Sequence, residues 1–241
     1  MMKTKAILFD KDGTLLNFDA FWISLAKAAM VELFDSLQVE FPEREVLESI
    51  GVKDGKTDIN GVLVHGTYGD MAEVIHPILV RGGYQGTVTE VRDMAADLFP
   101  KLVSAGKILP DCEDLQGVLK QLRDAGMTLA VVTSDTPDMT EKCLEELGVS
   151  EYFTVVYSDD GVLPNKPDPY CAEKFCRDYG FDKSEVVMVG DTMTDMNFAK
   201  NAGIRGIGIA KDEVCRGILS AVTDKIIHDL GGLYAALSEE A

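Results

Sequence analysis

Asp10 and Asp12 stand two residues apart in Asp10-Lys11-Asp12-Gly13-Thr14, directly after the apolar run Ala6-Ile7-Leu8-Phe9. Side chains alternate along an extended backbone, so this spacing predicts both carboxylates on one side of the chain, with Gly13 letting it turn away at once. Two carboxylates on one face can hold a hard cation and divide the work of nucleophile and acid/base. Acidic residues beside glycine also serve simply to solvate a loop, and the pair alone leaves both readings open.

Three further segments narrow the choice. Met127-Thr128-Leu129-Ala130-Val131-Val132 reads as a second short buried strand and ends in Thr133-Ser134; Lys166 sits in Asn165-Lys166-Pro167-Asp168-Pro169; Val186-Val187-Met188-Val189 runs into Gly190-Asp191-Thr192-Met193-Thr194-Asp195. In this order the four segments resemble the motif set of the haloacid dehalogenase superfamily of phosphohydrolases, and the chain as a whole is most similar to its phosphoglycolate-phosphatase-type members.

The resemblance implies a Mg²⁺-dependent phosphatase acting on a small phosphorylated metabolite. Asp10 would attack phosphorus to give an aspartyl-phosphate, and Asp12 would protonate the leaving alcohol and then deprotonate the attacking water. It also implies Asp10, the backbone carbonyl of Asp12 and Asp191 as metal ligands, with Asp195 in the outer shell. Thr133 and Ser134 would bind the phosphate, Ser134 by hydroxyl or amide, and Lys166 would steady both nucleophile and phosphoryl group. The residues fit such chemistry: an anionic nucleophile meeting an anionic phosphoryl group needs a cation, and Mg²⁺ prefers oxygen ligands. Flanking prolines restrict the Lys166 loop. Read singly, Asp191 could be a helix N-cap, Asp195 a solvated helix residue and Lys166 a surface lysine.

Lys11 departs from the apolar residue common at this place in relatives. Alternation turns it away from the Asp10/Asp12 side, either to reach solvent or to bend over the cleft mouth and bind an anionic substrate tail. Asp135, Asp159 and Asp160 read as solvated turn residues, with a secondary metal role as the alternative. Among rival readings, a phosphosugar mutase resembling β-phosphoglucomutase would keep all four motifs. A non-catalytic metabolite-binding domain usually loses the nucleophile or the lysine, and Asp12 speaks against a 2-haloacid dehalogenase.

The elements that must position these residues are apolar runs at 5–9, 127–132, 153–157, 186–190, 206–209 and 225–228, separated in the second half by helical patterns. This predicts an α/β fold, a Rossmann-like parallel sheet covered on both faces, with ligands bound beyond the carboxyl ends of its strands. Residues 17–106 break the rhythm with long helical patterns and almost no strand signal. They are read as an inserted α-helical cap in a catalytic core of residues 1–16 and 107–241. Within it, Asp19 is placed to cap a helix carrying Trp22, Leu25, Ala29, Leu33 and Leu37, and Thr87 with Glu90 has capping-box spacing. Pro42 suits a first turn, whereas Pro77 and Pro100 should end or kink a helix. Gly51–Gly55 and Arg81–Gly86 read as turns.

Composition bounds the partners. The chain has 241 residues, 46% hydrophobic, with 23 Lys+Arg against 41 Asp+Glu, a formal charge of −18. That charge repels nucleic acid, so phosphate recognition must come from a local pocket. No run approaches the ~18 apolar residues needed to cross a bilayer, and the run after Lys3 and Lys5 is too short for a signal-peptide core. Cys112, Cys143, Cys171, Cys176 and Cys215 include no CxxC pair, which predicts free thiols and a cytoplasmic protein. His65, His76 and His228 have no partner at zinc-ligand spacing. The sequence carries no signal for oligomeric state.

Overall fold

The computed structural model describes residues 3–58 and 60–239. The chain divides into two compact units, one running to Asn17 and resuming at Ile108, the other Phe18–Lys107. In chain order, β1 (Ala6–Phe9) is followed by α1 (Phe18–Ser36), α2 (Glu43–Ser49), β2 (Val52–Lys53), β3 (Lys56–Thr57), α3 (Val62–His65), α4 (Tyr68–Arg81) and α5 (Val88–Lys101). After the second unit come α6 (Leu115–Asp124), β4 (Thr128–Val132), α7 (Pro137–Glu146), β5 (Phe153–Tyr157), α8 (Tyr170–Tyr179) and β6 (Val186–Gly190). The chain continues through α9 (Met193–Ala202), β7 (Arg205–Ile209), α10 (Glu213–Leu219), β8 (Ile226–Ile227) and α11 (Leu233–Ser238).

The first unit is built on a six-stranded sheet in the order β5-β4-β1-β6-β7-β8, parallel throughout. Its central strands are continuous apolar runs because both faces are covered: Ala6–Phe9 and Val186–Gly190 are buried at every position. Ala6, Leu8, Ala130, Val132, Val186 and Met188 pack on one face against Ala172 and Phe175 of α8 and Phe198, Ala199 and Ala202 of α9. Strand order reverses about β1, which has β4 on one side and β6 on the other, and this opens a crevice at the carboxyl ends. The α/β, parallel-sheet expectation is met, with strands close to their predicted spans.

In the helical unit, α1 buries Phe21, Leu25, Ala26, Ala29, Met30, Leu33 and Phe34, a broader face than the expected stripe, and leaves Trp22 and Leu37 half-buried. Asp19 does not cap this helix. It lies inside the first turn, and its carboxylate accepts from Thr57 N (2.9 Å) and Oγ1 (2.7 Å), tying the β2–β3 hairpin to α1. Pro42 sits at the N-cap of α2. Pro77 and Pro100 end no helix: both lie within α4 and α5. Each is exposed, so water can take the carbonyl that a proline leaves unbonded, and Pro100 already falls in the last turn. Asp54 and Gly55 turn the hairpin with φ of 50° and 74°, the left-handed pair that a two-residue hairpin loop demands. The capping box of Thr87 and Glu90 forms as read.

Candidate active site

Three adjacent strands deliver the chemistry-bearing residues. Asp10 follows β1, Thr133 follows β4 and Asp191 follows β6, and the register Phe9↔Val131 and Phe9↔Val189 sets the ends of β4 and β6 one residue beyond that of β1. Asp10 is anchored by its own N–H, which donates to Val189 O at 2.9 Å. Gly13 follows with φ of 78°, and a Cβ there would fall inside the Asp191 carboxylate, so only glycine allows the first loop to approach that residue.

Asp10, Asp191 and Asp195 each offer a carboxylate oxygen within 4.8 Å of the others. Lys166 reaches this cluster from the loop between β5 and α8, its Nζ 2.5 Å from Asp10 Oδ1 and 2.6 Å from Asp195 Oδ1. That loop is held from outside the cluster. Asn165 donates to Asp159 Oδ2 (2.9 Å), the Asp168 carboxylate accepts from Tyr170 N (2.9 Å), and Asn201 of α9 donates to Pro167 O (2.9 Å).

Charge is strongly out of balance here. Burial pushes the Asp10 carboxyl up to about 7, against the pull of the Lys166 ammonium, with Asp195 and Asp12 adding repulsion. Burial, then Asp10 and Asp195, drive Asp191 well above the usual carboxylate range. Burial works against the Lys166 ammonium, but Asp10 and Asp195 more than reverse it and keep the lysine protonated. Three crowded carboxylates facing one ammonium, all-oxygen and short of positive charge, form a donor set that fits a hard divalent cation such as Mg²⁺.

Asp195 has a further duty. Thr192, not Asp191, is the N-cap of α9: its Oγ1 accepts from Asp195 N, while Asp195 Oδ2 accepts from Thr192 N (3.0 Å) and Oγ1 (2.5 Å). One oxygen of Asp195 thus closes the helix and the other holds Lys166. The Thr-x-x-Asp spacing signalled this box in the sequence; the reach to Lys166 had no local signal. Thr14, fully buried, places its hydroxyl 3.5 Å from Asp191 Oδ1.

Thr133 is buried, and its Oγ1 accepts from Asp135 N at 3.2 Å, which leaves the hydroxyl proton to be donated elsewhere. Ser134 is exposed beside it. Lys11 neither reaches solvent nor lies over a cleft mouth. Its side chain is fully buried, with Nζ 2.8 Å from Asp12 Oδ2, 2.9 Å from Asp12 Oδ1, 3.1 Å from Asp135 Oδ2 and 4.0 Å from Cys143 Sγ. Asp135 is therefore an ion-pair partner and not a solvated turn residue. Burial opposes the Lys11 charge, but Asp12 and Asp135 outweigh it and keep it protonated. Burial also raises Asp12, with Lys11 restraining the rise.

The helical unit contains a cavity of about 350 Å³ lined chiefly by aromatic and aliphatic side chains, among them Phe18, Trp22, Leu63, Tyr68, Met71 and Phe99. Among the described residues no helix is long and apolar enough to cross a membrane, and the five cysteines are free thiols.

Known proteins resemble the chain in sequence and in fold. The chain is 28% identical over 208 residues to the pyrophosphatase PpaX of Halalkalibacterium halodurans, covering 85% of this chain and 82% of that one. It is 28% identical over 211 residues to the phosphoglycolate phosphatase of Vibrio vulnificus, covering 85% and 83%. Its fold matches that of the magnesium-bound hydrolase YfnB of Bacillus subtilis with a TM-score of 0.69 at 18% identity, over 97% of this chain and 98% of the other. The family model for haloacid dehalogenase-like hydrolases matches residues 4–203, most of the chain. The chain belongs to the haloacid dehalogenase-like hydrolases.

Proposed function

We propose that this hydrolase is a Mg²⁺-dependent phosphatase of small phosphorylated metabolites that works through an aspartyl-phosphate on Asp10. The observation that carries the reading is the cluster of Asp10, Asp191 and Asp195 against the buried Lys166 at the strand-order reversal. The relatives named phosphoglycolate phosphatase and pyrophosphatase support phosphorus as the centre attacked.

In this mechanism an Asp10 carboxylate oxygen attacks phosphorus and the ester P–O bond breaks. Asp12, protonated at that moment, gives its proton to the departing alkoxide; its raised affinity for the proton suits that role. The Asp12 carboxylate then takes a proton from water as that water attacks phosphorus, the acyl-phosphate bond breaks, and inorganic phosphate leaves with Asp10 restored. Lys166 offsets the negative charge of Asp10 and can reach the transferring oxygens, to which the Thr133 hydroxyl donates, with Ser134 beside it. Asp10, Asp191 and the Asp12 carbonyl would hold Mg²⁺, and Asp195 would order its outer shell. The ion would supply positive charge to the phosphoryl oxygens and favour the ionised form of Asp10.

The inserted helical unit is the proposed cap. The test is phosphate release from a panel of phosphorylated metabolites with Mg²⁺. Asp10→Asn, nearly isosteric, should lower turnover by at least about 10⁴-fold with the fold intact. Retained activity defeats the nucleophile assignment, and an isomerised product in place of free phosphate would point to a mutase.

A further inference from the structure

Lys11 has no place in the mechanism above, yet it is among the largest fully buried side chains of the protein. An ammonium is withdrawn from water only where carboxylates compensate it, so the identity of its partners carries the information. Those partners are the carboxylate assigned to proton transfer and the carboxylate two residues beyond the phosphate-binding threonine. Lys11 Nζ lies within 2.9 Å of both Asp12 oxygens and 3.1 Å from Asp135 Oδ2. The Asp135 backbone N–H donates in turn to Thr133 Oγ1 at 3.2 Å, and the Asp135 carbonyl accepts from Asp159 N at 2.8 Å. A continuous polar path therefore runs from the Asp12 carboxylate through the ammonium and Asp135 to the Thr133 hydroxyl.

The path bridges two segments far apart in sequence. The first loop is already fixed by its backbone, since the Lys11 carbonyl accepts from Thr14, Leu15 and Leu16 N–H. The Lys11 side chain reaches on from that turn to Asp135. What it fixes is the rotamer of Asp12 and the start of the loop after β4. An apolar residue at position 11 would fill the volume but leave Asp12 and Asp135, both only about one-fifth exposed, without their shared counter-charge.

We propose that Lys11 is a positioning residue that aims the Asp12 carboxyl at the leaving group and locks it to the phosphate-binding loop. This rests on Asp12 being the acid/base of the reaction. A misaimed acid hurts an alkyl phosphate, whose alkoxide must be protonated as it leaves, far more than p-nitrophenyl phosphate, whose leaving group needs no proton. A loss of general stability would lower both alike.

The test compares kcat and KM of the full chain, Asp12→Asn, Lys11→Met, Lys11→Arg and Asp135→Asn on an alkyl phosphate and on p-nitrophenyl phosphate. Lys11→Met should lower kcat about 10- to 100-fold on the alkyl phosphate and less than about threefold on the aryl one, with KM nearly unchanged. Lys11→Arg should recover part of the loss. Asp135→Asn leaves the Lys11–Asp12 pair in place and should show the same pattern more weakly, which keeps the test open should Lys11→Met fail to fold. If Asp12→Asn itself shows no dependence on leaving group, the acid/base reading falls and the role of Lys11 with it. If Asp12→Asn shows that dependence while Lys11→Met and Asp135→Asn do not, the role of Lys11 alone is overturned.

Discussion

Several candidate site residues are constrained by neighbours outside the proposed reaction. Gly13 illustrates this. Its φ of 78° and the Asp191 carboxylate in the space of a Cβ mean that even alanine must displace a metal-ligand candidate. Gly13→Ala should cost about 1–2 kcal/mol for the left-handed backbone and weaken Mg²⁺ binding at least about tenfold through the shift of Asp191. Thermal melting and calorimetric titration of Mg²⁺ read the two effects separately. Lys11 shows the limit of local reading. Alternation places its Cα–Cβ bond away from Asp10 and Asp12, but four methylenes are long enough to bring the ammonium back to Asp12, and the low cost of bending a lysine stem leaves no trace in the pattern.

Among the elements, α4, α5 and α9 open with the same device, and the last two put it to different use. Thr87 with Glu90 closes α5 and Thr192 with Asp195 closes α9, each by reciprocal side-chain and backbone hydrogen bonds. Removing either threonine hydroxyl should cost about 1 kcal/mol of stability. In α5 the consequence should end there, because Glu90 is exposed and its partner beyond the cap is the Tyr84 hydroxyl at 3.3 Å. In α9 the acidic member also holds Lys166, so Thr192→Ala should lower kcat roughly tenfold in addition, as Asp195 loses the contacts that aim it. Paired melting curves and steady-state kinetics on Thr87→Ala and Thr192→Ala check this; equal kinetic effects would show that the box at α9 is only a helix end.

For the whole molecule, the proposed metal site would link Mg²⁺ binding to stability. The folded chain gathers Asp10, Asp191 and Asp195 within 4.8 Å, whereas the unfolded chain spreads them over most of its length. On the proposed reading Mg²⁺ binds the native state in preference, and at about 100 times its Kd it should add roughly 2.7 kcal/mol to the unfolding free energy. The melting temperature should rise with Mg²⁺, Asp191→Asn should blunt that rise, and EDTA should abolish turnover until Mg²⁺ is restored. A melting point indifferent to Mg²⁺ would remove the metal from the site.

The sheet and the ends of its strands are written along the chain. Continuous apolar runs of four or five residues can be buried only between two covered faces, and the carboxylates, threonine and glycines that follow them are local features. The capping box at α5 and the hairpin turn were legible for the same reason: a cap and a turn are settled within four residues. Tertiary structure decided what depends on distance. It turned Asp19 from a cap into a tie to Thr57, carried helices through Pro77 and Pro100 where water can serve the orphaned carbonyls, and gave Asp195 a second partner in Lys166. It also buried Lys11 between Asp12 and Asp135, 124 residues further along the chain. Hydrophobic burial selects positions by period and is written along the chain. The pairing of buried charges is selected by which loops the sheet order brings side by side, and no periodicity records it.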